Sequence, residues 1–572
     1  MSIFFALILW AIPVGLVILV VLLIVRRGQA AHDDPVSGTR GVRRFFQYLL
    51  LYALVIVSGI GVADLLGRLF GAENYEGYDL ALPLAFTIVG VPLALAIAGW
   101  TRRMIRRDPR EGTSLAHSIY VTLASLTSLI VAVVGLQGVL SALLGGTFDG
   151  GALANLVVWG GLWFLHWRLS RSLGEDRGWP HLLFGSLVGL STAMIGFGFL
   201  LGASLSALFL DPPQVMIVGV GHDLAEYGAL FAAGALVWVR YWATAAARLP
   251  RLTGWLVYVL PVGVGGGLLT ALVAASLVLW TILVWVFGQP SDPRFDLHFS
   301  ETPDALGFAL VGLLVWWYHG AVLAEKRQNR TEVRRVYEYL VSAIGLLAAA
   351  AGVGMVIVAV IESFTPGLDL GVSVTNTILG AVTLLVVGLP LWWLFWSRIQ
   401  QARTAEPESE ITSPTRRTYL VLLFGIAGVA AVVALLVAVF ILLQDITAGT
   451  ASTETIRSMR YALGVLATTA AVSAYHGAVF REDRGVPVTK RPPAPRSVLL
   501  VGAAAPGLAR TLARASGAHV ELLVRADDAA PAWSEQALLA AFSHHPGEDI
   551  LVMGGDALEV TVLDRGGHRP TA

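Results

Sequence analysis

The chain contains 572 residues, of which 56% are hydrophobic and only 14% are charged, whereas soluble domains are typically about 25% charged. Its 39 basic and 39 acidic residues give a formal net charge of zero, so no overall field attracts nucleic acid. The absence of cysteine excludes disulfides, thiolate metal sites and cysteine nucleophiles. The composition therefore predicts an integral membrane protein whose partner is the lipid bilayer, and it argues against a soluble enzyme and a nucleic-acid-binding protein.

Apolar stretches of about 20 residues, the length that crosses a bilayer as a helix, recur along nearly the whole chain. The first stretch covers residues 3–25, and twelve more follow in pairs. The pairs are 46–70 with 80–100, 117–144 with 151–167, 180–210 with 224–242, 253–288 with 305–323, 337–364 with 370–397, and 419–444 with 461–480. The pattern predicts an all-α multi-pass membrane protein of about 13 transmembrane helices, with a small C-terminal α/β cytoplasmic domain.

Arginine and lysine are retained on the cytoplasmic side of membrane helices. Alternating loops place nearly all basic residues of the spanning region on one face. The other face holds only Arg68, Arg294, Arg457 and Arg460. This asymmetry predicts insertion in the cell inner (plasma) membrane, with the N-terminus outside and the C-terminal domain in the cytoplasm. Residues 1–27 are predicted to be a retained anchor, because Arg26 and Arg27 follow the apolar run instead of preceding it as in a signal peptide.

The twelve later spans repeat in sequence. The segment Tyr318-His319-Gly320-Ala321-Val322 is identical to Tyr475-His476-Gly477-Ala478-Val479, and His166 occupies the corresponding place earlier in the chain. An interval of about 150 residues predicts a four-helix module that occurs three times. The predicted divisions are membrane modules at 43–173, 178–327 and 332–484, a proline-rich linker at 485–496 and a small α/β domain at 497–572.

The openings and closings of these modules carry a resemblance to a known family. Arg334, Arg335, Tyr337, Tyr339 and Leu340 open the third module, and the closings are rich in tryptophan and end in arginine. The pattern resembles an uncharacterised family of bacterial four-helix membrane modules, domain of unknown function 5671. The resemblance covers residues 43–484 in about three tandem copies, and the middle copy diverges most, since Gly178-Trp179-Pro180-His181 replaces the arginine pair. It implies a membrane fold, and no activity, cofactor or site residue.

The three equivalent histidines are the sharpest candidates for chemistry. His166, His319 and His476 at one membrane depth could bind a metal or relay protons. Each, however, neighbours a tryptophan, tyrosine or arginine suited to the headgroup zone, which favours amphipathic anchors at the inner interface. We expect the three imidazoles to lie too far apart to share one ion, and therefore predict no metal, no cofactor and no catalytic residue.

Charged and polar residues within the spans are few. Asp64, Arg68, Asp223, Glu226 and Glu362 all lie near the outer ends of spans, and the acids Asp223 and Glu226 are predicted to open a span, where carboxylates suit the positive end of a helix. A cation site is the alternative for these two acids. Two polar sets and one glycine set favour close helix packing, with a broken helix as the alternative for the glycines. They are Ser125, Thr127, Ser128 and Gln137; Ser191 and Thr192; and Gly263, Gly265, Gly266 and Gly267.

After residue 485 the sequence no longer contains long apolar segments and instead predicts alternating short strands and helices. Strands are predicted at 497–501 and 520–524, helices from the first turn to about 516 and at 533–542, and a hairpin from 550–553 and 558–563. The turn at 502–507 resembles a nucleotide-binding turn, but Ala504 stands where the dinucleotide fingerprint requires its second glycine. An adjacent pair, His544 and His545, has no further metal ligands nearby in sequence. We expect a folded domain through which residues 497–572 bind a protein partner.

Three functions fit these features. The leading hypothesis is a non-enzymatic membrane scaffold or sensor with a cytoplasmic interaction domain, because no catalytic constellation and no charge at mid-membrane are present. The alternative is a transporter or channel of parallel helical repeats for a neutral or apolar solute, which a polar cavity or a broken helix would favour. The third is a membrane enzyme that uses the histidines or acts on lipid, and it requires those histidines to converge.

Overall fold

The structure is a computed structural model. It describes residues 35–71, 80–173, 175–210, 217–249, 251, 253–323, 331–365, 373–486, 494–505, 507–525, 533–554 and 558–563. The predicted anchor at 1–27 and most of the predicted linker lie outside the described residues. The chain divides into two compact units, one of Met1–Ala405 with Ser413–Phe480 and one of Glu406–Thr412 with Arg481–Ala572.

Twelve long helices lie among the described residues of the first unit. They are α1 (Pro35–Leu69), α2 (Ala81–Arg107), α3 (Leu115–Leu144), α4 (Gly150–Ser170), α5 (Glu175–Phe209), α6 (Ile217–Trp238), α7 (Gly254–Phe287), α8 (Thr302–Leu323), α9 (Glu332–Phe364), α10 (Val374–Ala405), α11 (Pro414–Ala448) and α12 (Arg460–Gly485), the last of which ends in the second unit. Among the described residues, eleven helices are long and apolar enough to cross a membrane. The exception is α4, whose 21 residues include the polar Asn155 and His166.

The predicted helical membrane protein is thus confirmed in its coarse form, whereas the total of 13 spans is not established. Each of the twelve later spans predicted from hydropathy corresponds to one helix of the structure. The agreement has a simple physical cause, since a segment that crosses the hydrocarbon layer must satisfy its backbone hydrogen bonds internally as a helix.

Aromatic contacts join the beginnings of odd-numbered helices to one another and to the ends of even-numbered ones. Tyr48, near the start of α1, stacks on Tyr120, near the start of α3, with ring centroids 5.6 Å apart. Tyr120 in turn lies 5.5 Å from His166 near the end of α4, and Tyr419, near the start of α11, lies 5.8 Å from His476 near the end of α12. We call this side of the bundle the entry end. Helices α3 and α4 therefore run in opposite directions, and so do α11 and α12.

Three stretches of wider π-helical turn interrupt the regular helices, at Phe86–Gly90 in α2, Val239–Ala243 after α6 and Tyr258–Gly266 in α7. The third contains Pro261, which lacks a backbone donor and so favours such a widened turn. The helix continues through it, so the glycine run does not break α7. Gly267 instead permits close packing on α8, since a Cβ there would lie 2.6 Å from the backbone nitrogen of Trp316.

The second unit contains the predicted α/β domain. Its elements are β1 (Ser497–Gly502), α13 (Leu508–Ser516), β2 (His519–Val524), α14 (Glu535–Ser543), β3 (Asp549–Met553) and β4 (Glu559–Val562). The strand order is β2-β1-β3-β4; β1 is parallel to β2 and β3, and β4 is antiparallel to β3, as the predicted hairpin requires. Alternate residues Val498 and Leu500 of β1 face a core with Leu512, Leu538 and Phe542 of the two helices.

Candidate functional site

The three histidines occupy closely similar positions at the entry end. In each, Nδ1 lies within hydrogen-bond distance of the carbonyl oxygen four residues earlier: 2.8 Å for His166, 2.9 Å for His319 and 2.8 Å for His476. Their side chains are fully buried, with exposed fractions of 1%, 0% and 1%. This burial corrects the sequence-based expectation of interfacial anchors. The rings lie inside the helix bundle because neighbouring helices supply aromatic partners for them.

Each histidine packs edge-on against one tyrosine of the preceding odd-numbered helix. The pairs are Tyr120 with His166, Tyr258 with His319 and Tyr419 with His476, with centroid distances of 5.5, 5.8 and 5.8 Å and interplanar angles of 72°, 65° and 68°. The sequence analysis singled out the histidines and missed these tyrosines. A usable signal was present, because Tyr120 and Tyr419 lie at the same distance after the capping serines Ser114 and Ser413.

The hydrogen bonding of the three pairs differs. The hydroxyl of Tyr120 lies 2.9 Å from Nε2 of His166. The Nε2 atoms of His319 and His476 are buried and have no hydrogen-bond partner among the described residues. The described part of the chain also contains no group of three or more histidine, aspartate and glutamate side chains arranged to hold a metal ion. Each imidazole is thus packed among aromatic side chains.

An acidic residue missed by the sequence analysis holds the arginine pair that opens α1. Glu111 lies in a short turn, Pro109–Glu111, between α2 and α3. Its Oε1 accepts from Arg43 at 2.6 Å and its Oε2 accepts from Nε of Arg44 at 2.9 Å. The hydrogen bond from Arg44 lowers the pKa of Glu111, with further lowering by the charges of both arginines against the opposing effect of burial. Both arginines are therefore engaged in ion pairs within the protein.

The acidic residues near the opposite end of the bundle behave in two ways. Asp64 pairs with Arg68 at 3.5 Å, and the buried Glu362 pairs with Arg460 at 3.0 Å. Asp223 and Glu226 were predicted to open a span at the positive end of a helix. Asp223 is the first residue of the candidate span in α6, but the helix begins earlier, at Ile217, so neither acid lies at its N-terminus.

A cavity of about 260 Å³ lies between α3, α5 and α6. Its walls are mainly apolar, and the polar side chains on them are Gln137, Thr192, Glu226 and Tyr227. Gln137 and Thr192 were expected to serve helix packing. The ring of Tyr227 stacks on Phe199, another wall residue, at a centroid distance of 5.1 Å. The cavity therefore combines an apolar interior with one carboxylate and two aromatic rings.

The crevice at the carboxyl ends of β1 and β3 is the usual ligand site of such sheets, because the strand order reverses there. The indole of Trp533 fills it. The ring packs on Gly502 at the end of β1, and a Cβ on Gly554 after β3 would lie 3.0 Å from it. Trp533 Nε1 donates to the carbonyl of Ala503 at 2.8 Å. The turn that resembles a nucleotide-binding sequence is therefore occupied by the protein's own side chain.

Comparison with known families supports the expected resemblance in two regions. Residues 44–161 and 335–471 match the model of a domain of unknown function (DUF5671). The first region covers α1 to α3 and the first half of α4, and the second runs from α9 into α12. The matched regions do not include 178–327. No curated protein and no solved structure matches the chain.

Proposed function

We propose that this chain is a non-enzymatic multi-pass membrane protein of a bacterial inner (plasma) membrane, in which three four-helix modules form a scaffold or sensor and residues 497–572 bind a cytoplasmic protein partner. The modules are 43–173, 178–327 and 332–484. Two of them coincide with the regions that match the family, and all three contain the same contact between a histidine and a tyrosine. The basic loops favour a cytoplasmic entry end and an external N-terminus.

The observation that carries this proposal is an apolar face on the sheet of the α/β domain that neither of its two described helices covers. Helices α13 and α14 contact each other and therefore cover the same face of the sheet. The other face presents side chains that are absent from the domain core, and Leu523 and Met553 are 47% and 36% exposed. These side chains are Leu499, Val501, Leu523, Leu551 and Met553. Parallel strands normally have cover on both faces, so this face fits a partner.

Acidic residues on the same face define the chemistry of that partner. The strand register places Glu521 beside Leu499 and Glu559 beside Met553, and both glutamates are exposed. Two copies of such a face would bring like charges together. The face therefore fits a different protein, with an apolar surface that basic residues border.

A photo-crosslinking amino acid at Leu551, on the uncovered face, tests this function in the full-length chain in its native membrane. The matched control carries the same group at Glu535, which is exposed on α14. We expect a discrete protein adduct from position 551, its loss when Leu499→Lys is added, and no such adduct from position 535. Equal labelling from both positions, or adducts with lipid alone, would contradict a protein-binding role.

The cavity between α3, α5 and α6 favours a second function, passive transport of a neutral or apolar solute. Phenylalanine in place of Thr192 would fill this space, whereas Thr447→Phe adds the same ring at an exposed position near the end of α11. Flux of indole and glycerol into proteoliposomes tests the idea. Transport requires flux above that of empty vesicles, its loss in Thr192→Phe and its retention in Thr447→Phe.

A further inference from the structure

The wall of the cavity between α3, α5 and α6 carries one carboxylate. Glu226 lies on the cavity wall, and among the described residues it forms no hydrogen bond and no ion pair. The arginines predicted on the same face of the membrane are engaged elsewhere. Their partners are Asp64 for Arg68, Asp296 for Arg294, the carbonyl of Thr365 for Arg457 and Glu362 for Arg460. The negative charge at the cavity is therefore not neutralised by these arginines.

Aromatic rings beside Glu226 strengthen the preference for a cation. Tyr227 and Phe199 both line the cavity, and their rings stack at an interplanar angle of 24°. The face of an aromatic ring attracts ammonium groups, and this attraction grows where water is excluded. Glu226 and Tyr227 of α6 and Phe199 of α5 thus bring a carboxylate and two aromatic rings to the same cavity, and this combination suits an organic ammonium group.

A further acid shows which source of ammonium fits. Asp223 lies three residues before Glu226 on α6, and residues at that spacing are neighbours on the surface of a helix. A phospholipid headgroup would bring its phosphate into this negative field and be repelled. A free organic cation has no such group.

The remaining walls set the size and polarity of the rest of the ligand. Apolar side chains from all three helices surround the space, among them Val133 of α3, Ile195 of α5 and Leu230 of α6. Pockets for drug-sized ligands span about 300–1,000 Å³, so a cavity of about 260 Å³ accepts a smaller molecule. The ligand is therefore compact, with an apolar body that contacts these side chains.

We propose that the cavity between α3, α5 and α6 binds a small organic cation, an ammonium group on an apolar body, with Glu226 holding the charge. This site requires no part of residues 497–572. A failure of the cation-binding proposal would therefore leave the partner-binding function proposed for the α/β domain untouched, and the reverse also holds. Binding of a cation in the cavity does not require that the cation is transported.

Equilibrium dialysis of the full-length protein in a neutral maltoside detergent tests the site. The probes are benzyltrimethylammonium and neopentylbenzene, which have the same shape and differ in the charged nitrogen. We expect the cation to bind at least tenfold more tightly than the neutral isostere. Glu226→Gln should abolish this preference. Glu454→Gln removes an exposed acid from the short helix Thr453–Ser458 and should leave the preference unchanged.

Thr192→Phe provides a second variant that retains Glu226 and fills the cavity, and it should abolish binding of both probes. The absence of cation binding by the unmodified protein would overturn the proposal. So would equal affinity for the two probes, or an undiminished preference for the cation in Glu226→Gln. If Glu226→Gln fails to fold, the comparison of probes on the unmodified protein and on Thr192→Phe decides the question alone.

Discussion

The imidazole of His319 in α8 lies directly against the Cα of Gly263 in α7, and even one methyl group on that glycine would collide with the ring. Gly263 belongs to the π-helical stretch Tyr258–Gly266, so the widened turn and the missing side chain together make room for a buried histidine. Gly263, which the sequence assigned to close helix packing, thus makes room for a side chain of the next helix.

Gly263→Ala should therefore destabilise the bundle. Overpacking of a filled core typically costs about 1–3 kcal/mol, and we expect a loss in that range, seen as a lower midpoint of thermal aggregation in detergent. Gly266→Ala is the matched control, because a Cβ there would meet only the carbonyl of Pro261 at 4.0 Å. Equal behaviour of the two variants would show that His319 moves aside without cost.

Removal of the carboxylate that joins the arginine pair should loosen the start of α1. Glu111→Gln loses charge-assisted bonds to both Arg43 and Arg44. These arginines are partly exposed, so solvent screening limits the expected loss to about 1 kcal/mol. Thermal unfolding at low salt measures it, with Glu454→Gln as a control for the loss of an exposed carboxylate. An unchanged midpoint would mean that the two ion pairs contribute nothing net.

The same carboxylate predicts a dependence of stability on pH. Because the pKa of Glu111 is lowered on folding, its ion pairs stabilise the protein above the ordinary pKa of 4.5, and this contribution disappears as pH falls through the lowered value of the folded state. The difference in stability between the unmodified protein and Glu111→Gln should shrink as the pH is lowered from 6 toward about 3. A difference that grows on acidification would contradict this assignment.

The hydroxyl of Tyr120 should contribute more than that of Tyr419. Tyr120→Phe leaves the buried Nε2 of His166 without its partner at 2.9 Å, which should cost about 1 kcal/mol. Tyr419→Phe removes only a 3.3 Å contact with Ser342, since His476 has no hydrogen bond at Nε2 among the described residues. Thermal midpoints of the two variants in one detergent give the comparison, and a larger loss in Tyr419→Phe would reverse it.

Trp533 should be required for the order of the α/β domain. Trp533→Ala empties the crevice beside Gly502 and Gly554 and removes the bond to Ala503, with an expected cost of about 2 kcal/mol for this partly exposed ring. Hydrogen exchange of the β1 and β3 amides in the full-length chain should accelerate. Trp533→Phe keeps much of the ring contact, so its exchange rates should lie between those of the unmodified protein and those of Trp533→Ala. Unchanged exchange in Trp533→Ala would exclude a structural role for Trp533.

The helices were predictable from the sequence because the thickness of the bilayer sets the length of each apolar segment and helices satisfy the backbone inside it. Strand positions followed from short β-branched runs in the same way. Contacts between distant segments were not predictable, since hydropathy carries no information about pairing. Glu111 is an ordinary loop acid until the fold brings it to Arg44, and Trp533 is an ordinary helix-entry residue until it meets Gly502.

At the candidate sites, too, local patterns were predictable from the sequence and contacts between distant segments were not. The three histidines were visible as a repeat, but their burial was not, because a ring beside tryptophan and tyrosine suits both an interface and an aromatic core. Asp223 was assigned to the start of its helix because a carboxylate suits the positive end of a helix, whereas α6 begins at Ile217. The cavity wall of Gln137, Thr192 and Glu226 draws on three helices, and single-segment patterns cannot reveal such a set.

The modest hydrophobicity of α4 has a consequence for biosynthesis. A helix that carries Asn155 and His166 gains little from entering lipid alone, yet in the folded protein His166 is buried against Tyr120 of α3. We therefore expect α3 to remain beside the insertion machinery until α4 has been synthesised. The two helices should then enter the lipid together as one hairpin. The order of synthesis would then decide whether this part of the bundle acquires its correct number of crossings.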